Sequence, residues 1–244
     1  MTMAINPSDS AFKAVCGPFG IADVANARFA HSEASVAHFG AGEEVAGEGD
    51  PAESYFMVVK GVFRSVKVTR DGRRQIFAFY MPGDMCGLEP GPTYDLTIEA
   101  VNAGSIAVLS RCACRARMSR DTQFNSAVFE AATRALALSI DHMTMVGRSS
   151  AEERLAWFLK MLRERSAVAG REPPTVELVM QRQDIADYLG LTIETVSRTF
   201  THMKERGYIA LPTTRRVEIL NPKALERLAA ADRDAPSWDR RICA

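Results

Sequence analysis

The chain has 244 residues with 30 basic and 30 acidic side chains, so its formal net charge is zero and no overall attraction to nucleic acid is expected. Its length allows one large or two ordinary domains, and a composition of 47% hydrophobic and 25% charged residues is typical of a globular protein. No apolar run approaches the roughly 20 residues that span a bilayer, and the start MTMAINPSDS lacks a signal-peptide pattern, so we expect a cytoplasmic protein without a membrane partner.

Between Ser35 and Ser110, short β-prone segments alternate with turn sequences. The segments are SVAHF, YFMVVKGVFRSVKVT, RQIFAFYM, LTIEAV and SIAVLS. Asp71-Gly72 stands between two of them and predicts a hairpin. Short strands separated by regular turns predict a β-sandwich or a jelly-roll barrel, and we assign residues 1–118 to this domain.

A long helix is predicted across residues 119–148, because apolar residues recur there every three or four positions. The stripe is rich in alanine and its spacing is close to a heptad repeat, which is typical of paired helices. It could pack on the β-domain of its own chain, but a barrel with its own core does not need so long a stripe. We therefore favour a homodimer. The expected dimer seam consists of Val128, Ala131, Ala135, Leu138, His142 and Met145.

Beyond the long helix, the pattern predicts a small C-terminal domain across residues 149–231. A helix is expected from Ala151 to about Arg165, with Ser149 or Ser150 as its N-cap. Two short helices follow a loop, and IALPTTRRVEIL predicts a two-stranded wing. A last helix is expected from Lys223 to Ala230, and residues 232–244 are interpreted as a tail.

The two short helices lie in the stretch QDIADYLGLTIETVSRTFTHMKERGYI, from Gln183 to Ile209. Gly190 permits the positive φ of a tight turn between them, and Thr192 is a good N-cap for the second helix. Apolar residues three or four apart give each helix an inward face. These residues are Ile185, Ala186 and Leu189 in the first helix, and Val196, Phe200 and Met203 in the second. This arrangement predicts a helix-turn-helix, whose second helix enters the major groove of DNA.

The outward residues of the second helix suit base recognition. Arg198 can donate two hydrogen bonds to guanine, Glu194 can accept one from cytosine, and Ser197 can serve either role or contact a thymine methyl. Glu194 and Arg198, four residues apart, could instead form a salt bridge on a solvated helix face. The glycine turn, the N-cap and the basic wing favour DNA as the partner. The residues expected to contact or flank the DNA backbone are Thr192, Thr195, Thr201, Arg215 and Arg216.

These residues carry a family resemblance. QRQDIADYLGLTIETVSRTFTHMKERGYI resembles the DNA-binding signature of the CRP/FNR superfamily of bacterial transcription regulators. The core E-T-V-S-R is similar to the FNR-type pattern E-x-x-S-R, and Ile193 stands where the cyclic-AMP receptor branch has an arginine. FAFYMPGDMCG resembles a turn of the family's β-roll sensor domain, and DHMTMVGRSSAEERLAWFLKML resembles the end of its dimerisation helix and the helix after it. The FixK-like branch is the most similar.

The resemblance covers most of the chain and implies an α+β fold. It consists of an N-terminal β-roll of the jelly-roll, cyclic-nucleotide-binding type, a long dimerisation helix and a C-terminal winged helix-turn-helix. It also implies a homodimeric activator that binds a palindrome related to TTGAT-N4-ATCAA, with half-sites about 34 Å apart. Contact with RNA polymerase and control of microaerobic, anaerobic or nitrogen-oxide respiration genes are further implications.

No cofactor is expected in the sensor domain. Tyr94-Asp95 stand near the family's Arg-Ser pair, and an aspartate there would repel the phosphate of a cyclic nucleotide. FNR holds an iron–sulfur cluster through a clustered N-terminal trio of cysteines and one more in the roll. Here Cys16 is alone before residue 80, and the roll position falls at Ala107, so no cluster is expected. Haem stays open, with histidines as candidates by residue type alone. They are His31, His38, His142 and His202.

The five cysteines form no disulfide framework, because their number is odd and no signal peptide is present. They stand at Cys16, Cys86, Cys112, Cys114 and Cys243, with no C-x-x-C pair for a zinc site. Cys112 and Cys114 are interpreted as ordinary thiols beside a strand. The alternative function is a regulator of the same family that senses nitric oxide or redox state through haem or reactive thiols.

A cupin-like metalloenzyme was the competing class. It needs histidine and carboxylate ligands inside the barrel, and the segment from Tyr55 to Ser110 contains no histidine. We therefore expect a regulator and not an enzyme.

Overall fold

The computed structural model describes residues 34–148, 150–166 and 174–230. Cys16, His31, Cys243 and the predicted tail at 232–244 lie outside these ranges. The chain divides into two compact units, with the boundary between Ile140 and Asp141. This boundary falls inside the long helix, whereas the sequence placed its divisions at 118/119, 148/149 and 231/232, and that four-part division stays a prediction.

The described part of the first unit contains eight strands. They are β1 (Ala34–Phe39), β2 (Glu44–Ala46), β3 (Ser54–Lys60), β4 (Phe63–Val68), β5 (Arg74–Tyr80), β6 (Met85–Cys86), β7 (Thr97–Ala100) and β8 (Gly104–Ser110). They form two four-stranded antiparallel sheets, in the orders β1-β8-β3-β6 and β2-β7-β4-β5. The α+β fold with a β-roll is thus confirmed, and the Asp71-Gly72 hairpin joins β4 to β5 as predicted.

Strand β3 is buried on both faces, and its alternation builds two cores. Phe56 and Val58 lie in a cluster that also includes Phe63 and Ile98 of the second sheet. Met57 and Val59 point to the other side, into a second cluster. Because successive side chains of a strand point to opposite faces, one apolar strand supports both clusters.

Gly104, at the start of β8, shows how closely the strands approach. A Cβ atom at this position would lie 2.4 Å from the carbonyl oxygen of Lys60 and 3.0 Å from the ring of Phe63. No side chain other than hydrogen fits there without moving backbone, which explains a glycine inside a strand.

Two helices follow the roll: α1 (Arg111–Met118) and α2 (Thr122–Arg148). The sequence pattern missed α1, and it carries both Cys112 and Cys114. Cys112 is exposed and Cys114 is buried in the second cluster. They therefore lie on a helix that directly follows β8.

Four of the six residues of the dimer seam predicted on α2 are buried within the chain, and the seam itself stays a prediction. Val128 and Ala131, with Phe124, pack into the second cluster against the β-roll. His142 and Met145 are also buried within the chain. Alanine-rich surface lets another element approach closely, and here that element is the chain's own sheet. Two further predicted seam residues, Ala135 and Leu138, are half-exposed.

A different face of α2 carries large exposed apolar side chains. They are Phe129, Leu136, Ile140 and Met143, with exposures between 44% and 67%. Their spacings of seven, four and three residues follow a heptad seam.

The second unit contains the remaining elements. They are α3 (Ala151–Arg165), β9 (Thr175–Glu177), α4 (Arg182–Leu189), α5 (Ile193–Glu205), β10 (Ile209–Thr213), β11 (Arg216–Ile219) and α6 (Pro222–Ala230). Ser150 caps α3 through a capping box with Glu153. The predicted two-stranded wing is part of a three-stranded sheet, in the order β10-β11-β9. Across the described ranges, no helix is both long and apolar enough to cross a membrane.

Candidate nucleic-acid interface

Helices α4 and α5 form the predicted helix-turn-helix. Ile185, Ala186 and Leu189 of α4 are fully buried. On α5 the inward residues follow the helical period, and Val196 and Met203 are likewise fully buried. The polar residues between them therefore face outward, as the 3.6-residue period requires.

The turn is built on Gly190, whose φ of 63° lies in the left-handed region. The amide of Leu191 donates to the carbonyl of Ala186 at 3.0 Å. Arg154 of α3 donates through Nη1 to the carbonyl of Leu189 at 2.9 Å. The last carbonyls of a helix have no partner within it, and here a turn amide and an arginine supply the donors.

His142 satisfies another of these carbonyls. Its Nε2 lies 2.7 Å from the oxygen of Tyr188, and its ring stacks on the ring of Tyr188 with centroids 4.0 Å apart. Trp157 extends the stack, 6.2 Å from the imidazole. Burial lowers the pKa of His142, although the contact with Tyr188 opposes that shift. His142 is therefore a packed structural histidine in this chain.

Thr192 caps the N-terminus of α5. Its hydroxyl accepts a hydrogen bond from the amide of Thr195 at 3.2 Å. Glu194 lies in the first turn, and its pKa is lowered by its own backbone amide, by the Thr192 hydroxyl and by the nearby charge of Arg198. A carboxylate is stabilised at this helix end, so Glu194 is held ionised and able to accept hydrogen bonds.

The three predicted base readers share one exposed surface. Glu194 and Arg198 are four residues apart on α5, and Ser197 lies beside Arg198. Within the described ranges, neither the Arg198 guanidinium nor the Ser197 hydroxyl has a hydrogen-bond partner. Ile193, at the start of the same helix, is 36% exposed. The alternative, a salt bridge between Glu194 and Arg198, is not formed within the described ranges, although the charge of Arg198 still lowers the pKa of Glu194.

The predicted backbone donors on α5 are already engaged. The hydroxyls of Thr192 and Thr195 are 3.0 Å apart and bond to each other. Thr201 donates to the carbonyl of Ser197 at 3.2 Å.

The wing carries the two predicted basic residues at and beside its tip. Arg215 is exposed in the turn between β10 and β11, while Arg216 begins β11. Arg216 Nε lies 3.6 Å from an oxygen of Glu177 on β9. The side chain of Arg215 has no ion-pair partner within the described residues. Strand β9 thus carries the acidic neighbour of Arg216, and its short run within a proline-containing segment gave no signal in the sequence.

Inside the roll, Tyr94, near the position at which the family meets a phosphate, is engaged by other parts of the chain. The Tyr94 hydroxyl donates to the carbonyl of Ser54 at 2.7 Å, and its ring packs on Phe56. Arg111 is buried, donates to the carbonyls of Gly87 and Gly91 at 2.7 and 3.0 Å, and lies over the Tyr94 ring.

Neighbouring positions bear on the other expectations for the sensor domain. Asp95 is exposed, and Ala107 is buried in the second cluster. Among the residues that the structure describes, no three His, Cys, Asp or Glu side chains are grouped as a metal site would require.

Comparisons with known protein families match both halves of the chain. Residues 36–121 match the cyclic nucleotide-binding domain family, and residues 153–228 match the Crp-like helix-turn-helix domain family.

Individual relatives match over most of their length. The nitrogen fixation regulation protein FixK of Azorhizobium caulinodans is 41% identical over 213 residues, which is 86% of each chain. FixK of Bradyrhizobium diazoefficiens is 39% identical over 226 residues, 92% of this chain and 94% of the relative. The solved structure of FixK2 from Bradyrhizobium japonicum superposes with a TM-score of 0.74 at 37% identity, covering 84% of this chain and 98% of that one.

Proposed function

The chain belongs to the FixK-like branch of the CRP/FNR family of transcription regulators, and from that premise we propose that it acts as a homodimer on a palindrome related to TTGAT-N4-ATCAA. Members of this family are DNA-binding regulators and not enzymes. The proposed target genes serve microaerobic, anaerobic or nitrogen-oxide respiration, with RNA polymerase as the partner at the promoter.

One observation carries the proposal: the first turns of α5 present Glu194, Ser197 and Arg198 outward, and the Ser197 hydroxyl and the Arg198 guanidinium have no hydrogen-bond partner among the described residues. Arg198 suits guanine, because its planar fork can donate to O6 and N7 together. Glu194, ionised at the helix N-terminus, suits the amino group of cytosine. Both base types occur in each TTGAT half-site when its two strands are considered.

Ile193 extends the base-reading set. It is a large apolar side chain at the start of a recognition helix, and more than a third of it is exposed. Major-groove thymine presents a C5-methyl group that apolar side chains contact. A half-site rich in thymine and adenine offers such a methyl, so we assign Ile193 to it.

Backbone binding is assigned chiefly to the wing. Arg215 is exposed at the tip and its charge is unopposed within the described ranges, whereas Arg216 shares its charge with Glu177. Thr192, Thr195 and Thr201 keep a flanking role, since their hydroxyls would have to exchange an internal partner for a phosphate.

The dimer is proposed on the exposed apolar face of α2. A homodimer places the same face of both helices together, and burying a large apolar side chain contributes roughly 1.5–3 kcal/mol. The face carries Phe129, Leu136, Ile140 and Met143. This seam replaces the one expected from the sequence.

No cyclic nucleotide or iron–sulfur cluster is assigned to the roll. Two sets of contacts support a sensor domain whose interior is filled by its own side chains. Tyr94 donates a hydrogen bond to Ser54, and Arg111 donates to the carbonyls of Gly87 and Gly91. The absorbance spectrum of freshly purified protein tests the expected absence of haem and of an iron–sulfur cluster. A Soret band would favour the haem-sensing alternative, and a broad visible band would favour a cluster.

The main proposal is tested by gel shift on the palindromic duplex. Arg198→Ala should weaken specific binding about 5- to 150-fold, the equivalent of roughly 1–3 kcal/mol for a bidentate base contact. Arg227→Ala on α6 is the matched control, because it removes the same charge from another exposed helix. Equal binding by the parent and Arg198→Ala would show that the assignment of Arg198 is wrong.

A further inference from the structure

A single carboxylate of α3 faces the imidazole of His202 and the guanidinium of Arg206 at the end of the recognition helix. Glu152 Oε2 lies 3.7 Å from His202 Nδ1, and Glu152 Oε1 lies 3.7 Å from Arg206 Nη1. The Glu152 side chain is only 20% exposed, whereas about half of His202 and of Arg206 is exposed. The carboxylate is therefore the shielded centre of the group, and His202 and Arg206 are its more exposed members.

The environment of the Glu152 carboxylate differs from that of an ordinary acidic side chain on the surface. Its Oε1 is shielded from solvent and accepts no hydrogen bond from any residue of the described ranges. Removing a carboxylate from water costs free energy unless opposite charge compensates it. The compensating charge is supplied by Arg206, and by His202 when it is protonated.

The position of Glu152 on α3 gives this contact a consequence for α5. Arg154, two residues further along α3, holds the carbonyl of Leu189 at the helix-turn-helix turn. Glu152 faces His202 and Arg206, which are four residues apart and lie on one flank at the far end of the recognition helix. The first turn of α3 thus contacts both ends of the segment that presents the base readers.

We propose that Glu152 is a positioning residue for DNA recognition, which fixes the distal end of α5 through His202 and Arg206 and withholds the Arg206 guanidinium from the DNA phosphates. The inference rests on the proposed function of α5. A cation paired with a carboxylate releases fewer DNA counterions than a free one, so the pairing lowers non-specific affinity. A fixed helix axis keeps Glu194 and Arg198 in register with base edges, so the same contact raises specific affinity.

The test compares the palindrome with a scrambled duplex of equal length, at several salt concentrations, for the parent and Glu152→Gln. Glutamine keeps the shape and removes the charge. Binding to the palindrome should weaken about two- to fivefold, the range of a partly exposed ion pair. Binding to the scrambled duplex should stay equal or become tighter, with a steeper salt dependence. Glu164→Gln, which removes the same charge from the same helix where it pairs with Lys160, should leave both affinities unchanged.

Two further measurements separate positioning from simple stabilisation. Thermal unfolding followed by circular dichroism reports the stability of each variant. If Glu152→Gln lowered both affinities equally, or left the ratio of specific to non-specific binding unchanged, the inference would be overturned. In a background of His202→Gln with Arg206→Gln, the substitution at Glu152 should add no further loss. A full additional loss would show that Glu152 acts through other residues.

The outcome for the parent distinguishes the two proposals. A parent that prefers the palindrome, combined with an unaffected Glu152→Gln, overturns the positioning role alone. A parent without any preference overturns the proposed function and, with it, the role of Glu152.

Discussion

The imidazole of His142, near the end of the long helix, donates to the last-turn carbonyl of Tyr188 in the first helix of the helix-turn-helix, with Nε2 and O 2.7 Å apart. The rings of the same two residues are stacked with an interplanar angle of 6°. The hydrogen bond requires a proton on Nε2, and the buried ring favours the neutral form. The same histidine therefore caps the end of α4 and contributes to the pH dependence of the stability of the second unit.

Acidification should destabilise the second unit through His142. Burial lowers the folded-state pKa below its ordinary value of 6.5, so the unfolded chain binds the proton more tightly. The stabilisation by His142 is complete above pH 6.5 and is lost as the pH falls from there through the folded-state pKa. Urea unfolding at pH 7.5 and at pH 5.5, followed by the fluorescence of Trp157 in the same stack, measures the loss.

The control for this prediction is His142→Gln. Glutamine can still donate to the Tyr188 carbonyl but does not titrate, so the variant should lose less stability on acidification than the parent. Since other groups titrate as well, the informative quantity is the difference between the two proteins. An identical pH dependence of both would rule out His142 as a source.

A methyl group at the helix-turn-helix turn should be costly for conformational reasons alone. In Gly190→Ala, the new Cβ would lie 3.4 Å from Val146 and 3.5 Å from Arg154, which are ordinary van der Waals distances. The positive φ is the larger obstacle, because a left-handed L-residue costs roughly 1–2 kcal/mol. We expect the unfolding free energy to fall by about that amount, and specific DNA binding to weaken as the turn adjusts.

Gly207→Ala separates these two effects. Gly207 also has a positive φ, and a Cβ there would meet nothing within 4 Å. The Gly207→Ala variant should lose a similar amount of unfolding free energy, but it should keep the contact between Arg154 and Leu189. Equal losses of DNA affinity in both variants would mean that strain, rather than the turn itself, weakens binding.

Local sequence patterns predicted the elements whose formation depends on residues that are close together in the chain. Alternating residues in β4 and β5 around Asp71-Gly72, and the inward stripe of α5, follow from periods of two and 3.6 residues. Strand β9 was missed, because three residues become a strand only through pairing with distant β11. The positioning contact of Glu152 was missed for the same reason, since the residues it joins are 50 and 54 positions away.

The dimer seam proposed on α2 shows a different limit of prediction from sequence. Helical periodicity reveals that a face is apolar but not which surface covers it. The chain has two apolar stripes on this helix: one includes Val128 and packs on the β-roll, and the other includes Leu136 and is exposed. The choice between them required the position of the sheet, which the helix sequence does not contain.

Ile193 should discriminate thymine from uracil. Replacing single thymines of the palindrome by deoxyuridine removes only the C5-methyl group. At the thymine that Ile193 contacts, binding by the parent should weaken about fourfold, since one buried methyl contributes roughly 0.8 kcal/mol. Ile193→Ala should show a smaller response at the same position. A parent indifferent to every deoxyuridine substitution would leave no role for Ile193 in reading thymine.

A charge in the exposed apolar face of α2 should separate the protomers. In a two-fold dimer each seam residue lies near its own copy or a close neighbour, so Leu136→Glu would bring two carboxylates into an apolar contact. Leu136 is 59% exposed in the protomer, so the substitution leaves the folded protomer intact. We expect a monomer in analytical ultracentrifugation with unchanged helical content, and strongly reduced affinity for the palindrome, because one protomer reads a single half-site.

Ala135→Glu provides the comparison. Ala135 belongs to the seam expected from the sequence and is half-exposed in the structure. A glutamate there adds the same charge one residue away, on a different face of α2, so the dimer should persist. A monomeric Ala135→Glu together with a dimeric Leu136→Glu would restore the original seam. Monomers in both cases would place the contact between the two faces.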